Sequence, residues 1–475
     1  MTSPALAKPG NNGNPNNGKK MAAAVTAEAV MDHLQAFQDI ADTHGDRAAG
    51  TPGYEASAAY VESTLQAAGY QTERQYFTFE RFSVLESSLT VGSDPVDHIV
   101  MEYSPSGTVT GALESPAGVE GCAAEDWAGF TAGSVALISR GSCSFAEKSL
   151  NAAAAGASAA IVYNNTAGAL NGTLGAPDPG YVPTVGITQA AGQELLAMDG
   201  ATVTVHAVTE LEDVETFNVL AETAKGRTDN VVMLGAHLDG VPDGPGINDN
   251  GSGSAAILET AVQLAKVNKL NNQVRFAWWG AEEEGLIGSW HYVEDLYYNS
   301  PEEIDDIATY LNFDMVGSPN YIIGVYDADE STYEAPVDVP EGSAATEAVF
   351  TDYFDSIGQP WVDTQFSGRS DYQGFIEVGI PASGLFTGAD GVKTAEQVEL
   401  FGGTAGVIYD PNYHTPADDI GNVDVEALEI MSKAIAHATI TLAQDTSAIN
   451  GERSAGKSGK AHPQGPLPTE EQPAA

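Results

Sequence analysis

Two histidines and a series of carboxylates stand where this chain could grip divalent metal ions. The first group lies between Val231 and Leu258, in VVMLGAHLDGVPDGPGINDNGSGSAAIL. Four unbroken apolar residues, Val231 to Leu234, suit a strand covered on both faces. His237 and Asp239 follow it directly, and a Gly/Pro-rich loop then delivers Asp249. A helix is expected from near Ser252. In open α/β sheets ligands collect at the carboxyl ends of strands, which is where these three residues fall. A neutral imidazole with carboxylates suits zinc or a similar divalent ion. Taken singly, each motif has an ordinary reading, because Asp-Asn-Gly-Ser-Gly also serves as a turn and helix cap.

Four further clusters sit where strands are expected to end. Val274–Trp279 is followed by Gly-Ala-Glu282-Glu283-Glu284-Gly, and Thr309–Phe313 by Asp314. Arg369-Ser370-Asp371-Tyr372 and Tyr413-His414-Thr415-Pro416-Ala417-Asp418 lie in loops. Three glutamates alone could be a solvated helix start favoured by the helix dipole. Asp314 could cap a turn, His414 could be a surface histidine, and Arg369 could belong to a surface ion pair. Acidic and imidazole groups at successive strand ends are harder to obtain by accident.

The elements that must position these residues alternate. Thr26–Asp42 carries Val30, Leu34, Phe37 and Ile40 at helical spacing, and Gly53–Ala68 reads as a second amphipathic helix. Tyr76, Phe77, Phe79 and Phe82 suggest an aromatic-rich strand. From Phe217 on, strands are expected at 218–222, 231–236, 274–279, 309–313, 321–326 and 382–386. Helices are expected at about 252–268, 287–298, 342–357 and 423–443. This pattern predicts an α/β fold: a mostly parallel mixed sheet sandwiched by helices. Residues 97–208 are richer in small residues and read as a smaller inserted α/β unit, so the main domain spans 23–96 and 209–446. Residues 1–22 and 447–475 are expected to be a disordered arm and tail.

Composition excludes some functions. The 475 residues carry 66 acidic and 19 basic side chains, a net charge of −47. Phosphate repels such a surface, so nucleic acid is not an expected partner. No apolar run approaches the roughly 20 residues that span a bilayer, so no membrane partner is expected either. The scarcity of Lys and Arg suggests a surface built for high salt, where ions screen self-repulsion. An acidic secreted protein with no salt requirement is the other reading. Cys122 and Cys143 could pair, closing a loop of roughly 20 residues for about 3 kcal/mol in the chain-entropy model, or could stay as reduced buried thiols. Met1 to Lys20 has no apolar segment of the signal-peptide kind. A secreted protein whose leader is absent from this sequence is expected, with a cytoplasmic one as the alternative.

Two resemblances sharpen this reading. ALISRGSCSFAEKSLNAAAAGASAAIVYNN and VPTVGITQAAGQEL resemble the protease-associated domain, commonly inserted into peptidases and without catalytic residues. AHLDGVPDGPGINDNGSG, FAWWGAEEEGLIGS, LNFDMVGSPN, FSGRSDY and ASGLFTG…FGGTAGVIYDPNYHTPADDI together resemble the two-zinc aminopeptidases of peptidase family M28, most like its bacterial secreted leucine-type members. That resemblance implies two co-catalytic Zn2+ ions held by His237, Asp249, Glu283, Asp314 and His414, with Asp249 bridging. One ion would take His237 and Asp314, the other Glu283 and His414. It implies Asp239 as the group that orients His237, Glu282 as general base, and Tyr413 and Arg369 as substrate contacts. Phe386 is our candidate for part of an apolar side-chain pocket. Four metal charges against three ligand carboxylates leave a site close to neutrality once a hydroxide is added. The implied reaction is hydrolysis of the N-terminal residue, apolar and leucine-type, from peptides with a free N-terminus. A carboxypeptidase- or dipeptidase-type exopeptidase of the same fold and a non-catalytic receptor-like protein are the alternatives. A calcium ion has carboxylates to choose from but no assignable place, and a monomer is expected.

Overall fold

The computed structural model of the chain describes residues 16–451. These divide into two compact units. One holds the described residues up to Thr78 and from Glu215 on; the other is Phe79–Val214. The division lies outside the 97–208 expected from composition. Strands Thr72–Val91 and Thr202–Glu222 each run through a boundary, so no turn or compositional break marks it.

In the larger unit the chain opens with α1 (Gly18–Ala24), α2 (Ala27–His44) and α3 (Pro52–Ala68), followed by β1 (Thr72–Val91). Helix α1 corrects part of the expected disordered arm; residues 1–15 lie outside the described residues. Asn17 caps α1 by accepting from the Lys20 N–H at 3.1 Å, and Met21 is fully buried. After the smaller unit the chain continues as β2 (Thr202–Glu222), β3 (Arg227–His237), α4 (Gly253–Leu264), β4 (Asn272–Trp279), α5 (Ile287–Asn299), β5 (Ile307–Phe313), β6 (Gly324–Tyr326), α6 (Ser343–Ile357), β7 (Val362–Thr364), β8 (Ala382–Phe386) and α7 (Val425–Gln444). Ser447–Asn450 is a short helix with Ile449 buried, which corrects the start of the expected tail; residues 452–475 are outside the described residues.

The strand order is β7-β6-β8-β5-β3-β4-β2. Pairs β8/β5, β5/β3, β3/β4 and β6/β7 are parallel, while β6/β8 and β4/β2 are antiparallel. The mixed, mostly parallel α/β sheet is therefore present. Its central strands are apolar on both faces because each face is covered. Val232, Leu234 and Ala236 of β3 enter one core with Val274, Phe276 and Trp278 of β4, whereas Met233, Ala277 and Trp279 enter the other. Side chains alternate across a strand, so adjacent residues serve opposite layers.

The smaller unit has parallel pairs joining Val135–Ser139 to Ala159–Tyr163 and the latter to Thr184–Ile187, with helices Phe145–Ala154 and Gln189–Leu196. Cys122 and Cys143 form a disulfide. The buried Lys148 ammonium lies 3.4 Å from Cys143 Sγ and donates to the Glu120 carbonyl at 2.7 Å. No helix among the described residues is long and apolar enough to cross a membrane.

Candidate active site

Because β3, β4 and β5 are parallel neighbours, their carboxyl ends share one edge of the sheet. His237 ends β3, Glu282 and Glu283 follow β4 across a turn in which Ala281 takes φ 58°, and Asp314 follows β5 directly. Asp249 comes from Ile247–Ser252, a tight π-type turn ahead of α4. His414 comes from the loop before α7, with φ 55°.

Five side chains meet there. Asp249 turns Oδ1 to His237 Nε2 at 3.3 Å and Oδ2 to His414 Nε2 at 3.2 Å. Asp314 Oδ1 lies 3.3 Å from His237 Nε2, and Glu283 Oε2 lies 2.9 Å from His414 Nε2. Two groups of side chains result, one around each histidine, and they share one aspartate. Glu282 Oε2 stands beside the first group, 3.8 Å from His237 Nε2. Glu282 groups with His237 and Asp314 in a cluster able to hold a cation, and Glu283 with His237 and Asp249, whereas Glu284 joins neither.

Asp239 departs from expectation. It is the Asp239 backbone carbonyl that accepts from His237 Nδ1, at 3.0 Å, while its carboxylate lies 3.8 Å from that nitrogen. The carboxylate accepts from the backbone N–H groups of Glu282 and Glu283, at 3.2 and 3.3 Å. It therefore anchors the β4 turn that presents the two glutamates. Ser370 donates to Asp314 Oδ2 at 2.5 Å and Asn312 donates to Ser370 at 2.8 Å. Asp418 accepts from the N–H groups of Asn248 and Asp249, at 2.9 and 3.0 Å. Sequence reasoning assigned no role to Ser370 or Asp418, although both stood inside quoted motifs.

Tyr413 stacks on His414 with ring centroids 3.8 Å apart, and Arg369 Nη2 lies 3.5 Å from the Tyr413 hydroxyl. Arg369 also pairs with Asp390 at 3.2 Å. Both candidate substrate contacts thus sit beside His414. Phe386 ends β8, half-buried, with its ring alongside Tyr326 at 6.4 Å.

The electrostatics are those of a site crowded with acid. Burial, then the neighbouring Asp249, pushes Glu283 up to about 7. Burial raises Glu282 well above the usual carboxylate range, with the His237 imidazole opposing. Burial pulls the His237 imidazole down, but the surrounding carboxylates outweigh it and leave its pKa well above the ordinary value. His414 behaves likewise and is held up at about 10 by Asp249 and Glu283. A nearby cation would favour the ionised form of these carboxylates. A buried oxygen, Glu283 Oε1, has no hydrogen-bond partner. Ligand-type atoms of His237, Asp249 and Glu283 lie within 4.8 Å of one another, as do those of His237, Glu282 and Asp314. The residues fit zinc, whose ligands are of these types. Another acidic group, Asp327, Glu347 and Asp363, lies elsewhere in this unit without a histidine, and we assign it no ion.

Residues 218–439 match the model of peptidase family M28. A "Probable lipoprotein aminopeptidase" of Mycobacterium tuberculosis is 45% identical over 445 residues, covering 90% of this chain and 87% of that protein. The chain belongs to peptidase family M28. A "Leucine aminopeptidase 2" of Arthroderma otae is 42% identical over 94% of this chain and 89% of its own length. Among solved structures of similar fold, an aminopeptidase from Aneurinibacillus sp. strain AM-1 has a TM-score of 0.72 at 31% identity, covering 89% of this chain and 95% of that one. A zinc aminopeptidase from Bacillus subtilis has a TM-score of 0.65 at 27% identity, covering 89% and 98%. Residues 109–195, within the smaller unit, match the PA domain, so this M28 peptidase carries an inserted PA domain.

Proposed function

We propose that this M28 peptidase is a zinc-dependent aminopeptidase that holds two ions between His237, Asp314, Asp249, Glu283 and His414. The observation that carries the reading is Asp249, which offers one carboxylate oxygen to each histidine set. When bound, paired zinc ions lower the pKa of water and polarise the scissile carbonyl. Glu282 takes the proton of the attacking water and hands it to the leaving amine, as a carboxylate of raised pKa is suited to do. The Tyr413 hydroxyl, with Arg369 beside it, donates to the oxyanion that develops on the carbonyl oxygen. Carboxylates around the site attract the substrate's free α-amine, which selects the N-terminal residue. The preference for leucine-type residues, with Phe386 in the side-chain pocket, rests on the relatives' names and the apolar end of β8.

Aminoacyl-nitroanilides should be cleaved, and the same substrates with an acetylated N-terminus should be cleaved at least about 100-fold more slowly, the cost of several kcal/mol in lost charge recognition. Cleavage of N-blocked peptides with a free C-terminus, without cleavage of aminoacyl-nitroanilides, would favour a carboxypeptidase-type reaction and end the aminopeptidase reading. A secreted location is supported by the disulfide, which persists in oxidising compartments. A high-salt habitat is supported by the net charge of −47. The melting temperature should rise between low and molar sodium chloride; a flat profile would remove the salt-adapted reading.

A further inference from the structure

We propose that Arg47 is a positioning residue for the metal site, holding the backbone loop that sets His237 against Asp249. The proposal rests on the ligand assignment above. Arg47 lies between α2 and α3, about 190 residues before the ligands, and is completely buried. Its Nη1 donates to the Leu238 carbonyl at 2.7 Å, its Nε to the Pro245 carbonyl at 2.8 Å, and its Nη2 to the Gly246 carbonyl. Leu238 follows His237 directly, and Gly246 stands three residues before Asp249. One rigid guanidinium therefore ties together the two ends of the loop joining a terminal ligand to the bridging one. The Leu238 N–H donates to Trp279 and the Ile247 N–H to Asp418, which locks the same ends from the other side.

Glycines let bare backbone reach the guanidinium. A Cβ on Gly246 would stand 3.3 Å from Nη2 and 2.7 Å from the Asp249 carbonyl, and Gly246 has φ 59°. A Cβ on Gly251 would stand 3.5 Å from Nη2, and the guanidinium carbon lies 5.0 Å from the Phe37 ring centroid. The hydrogen bonds go to carbonyls, and no ion pair joins Arg47 to a carboxylate among the described residues. Burial lowers its pKa to about 10, against the opposing pull of Asp418, Asp239, Asp249 and Glu283, so it is cationic at neutral pH.

Two roles for this cation predict opposite signs. If its charge mattered most, it would repel incoming dications, and neutralising it would tighten metal binding. If its fork matters most, loss of the fork loosens the loop and weakens binding. Lysine keeps the charge but is a flexible point donor that cannot span three carbonyls. The test is competition between the intact chain and a zinc chelator of known affinity, with free zinc as the probe. Arg47→Lys and Arg47→Met are each expected to bind zinc at least about 10-fold more weakly than the wild type, the scale seen when groups behind metal ligands are lost. In zinc-saturated Arg47→Lys, kcat should fall while KM stays within about 2-fold, because Arg47 is sealed from substrate. Binding by Arg47→Lys equal to wild type, or tighter binding by Arg47→Met, overturns the proposal. A metal-free Arg47→Lys chain that no longer melts cooperatively also overturns it, by making the guanidinium a requirement of the fold. A wild-type chain that binds no zinc would instead remove the site assignment itself.

Discussion

Glu282→Gln is expected to keep its zinc and lose turnover by about 10²–10⁴-fold, the range for removal of a positioned acid–base group. The geometry separates it from its neighbour. Glu283 Oε2 lies 2.9 Å from His414 Nε2, whereas Glu282 stands 3.8 Å from His237 Nε2 and approaches neither histidine closely. Asp239 fixes the backbone of both through their N–H groups, so a glutamine at 282 leaves the turn in place. The amide is nearly isosteric but cannot accept and release a proton. Glu283→Gln should behave differently: it removes a ligand charge, so zinc content should fall along with activity. Metal analysis by mass spectrometry and kcat/KM on a leucyl-nitroanilide distinguish the two. If Glu282→Gln loses zinc and Glu283→Gln retains it, the roles are reversed.

Asp249→Asn should be the most damaging single change. Asp249 is almost fully buried and its two oxygens face different histidines. Hydrogen bonds from both histidines overcome the effect of burial and hold its carboxyl well below the usual range, so it is ionised at any working pH. An asparagine offers one oxygen, no charge and an NH₂ group that repels cations. At most one ion should remain per chain, and kcat/KM should fall by about 10³-fold or more, since a metal-based effect of several kcal/mol disappears. Retention of two zinc ions with activity within about 10-fold of wild type would show that the ions, if paired, are not joined by this residue.

Much of this was legible before the fold was known, for identifiable reasons. The unbroken apolar run Val231–Leu234 and the aromatic-rich Val274–Trp279, interrupted only by Arg275, announce strands buried on both faces, and their ends locate His237, Glu282 and Glu283. Strand Ala382–Phe386 and helix α6 also fell where their patterns put them. Strand β7 did not, because Val362-Asp-Thr is three half-buried residues with no period to read. The turn Ile247–Ser252 read as a loop and cap, since a π-type turn has no compositional signature. The family resemblance implied that Asp239 orients His237 through its side chain, yet its carbonyl meets the imidazole and its carboxylate serves the glutamates. Arg47 carried no signal: its partners are backbone carbonyls about 190 residues away, and sequence patterns do not report which carbonyls lack a donor. Helix α1 was hidden by the Asn- and Gly-rich residues around it, which mask one buried methionine.

That first helix also determines where the polypeptide tolerates trimming. Met21 and Val25 are sealed from water, and the Gly18 backbone lies so close to His437 of α7 that even a methyl group would collide with the ring. A protease or cloning boundary that stops before Asn17 preserves this latch. One that proceeds past Ala24 strips the lid from the longest helix of the larger unit, leaving a greasy stripe for another molecule to cover.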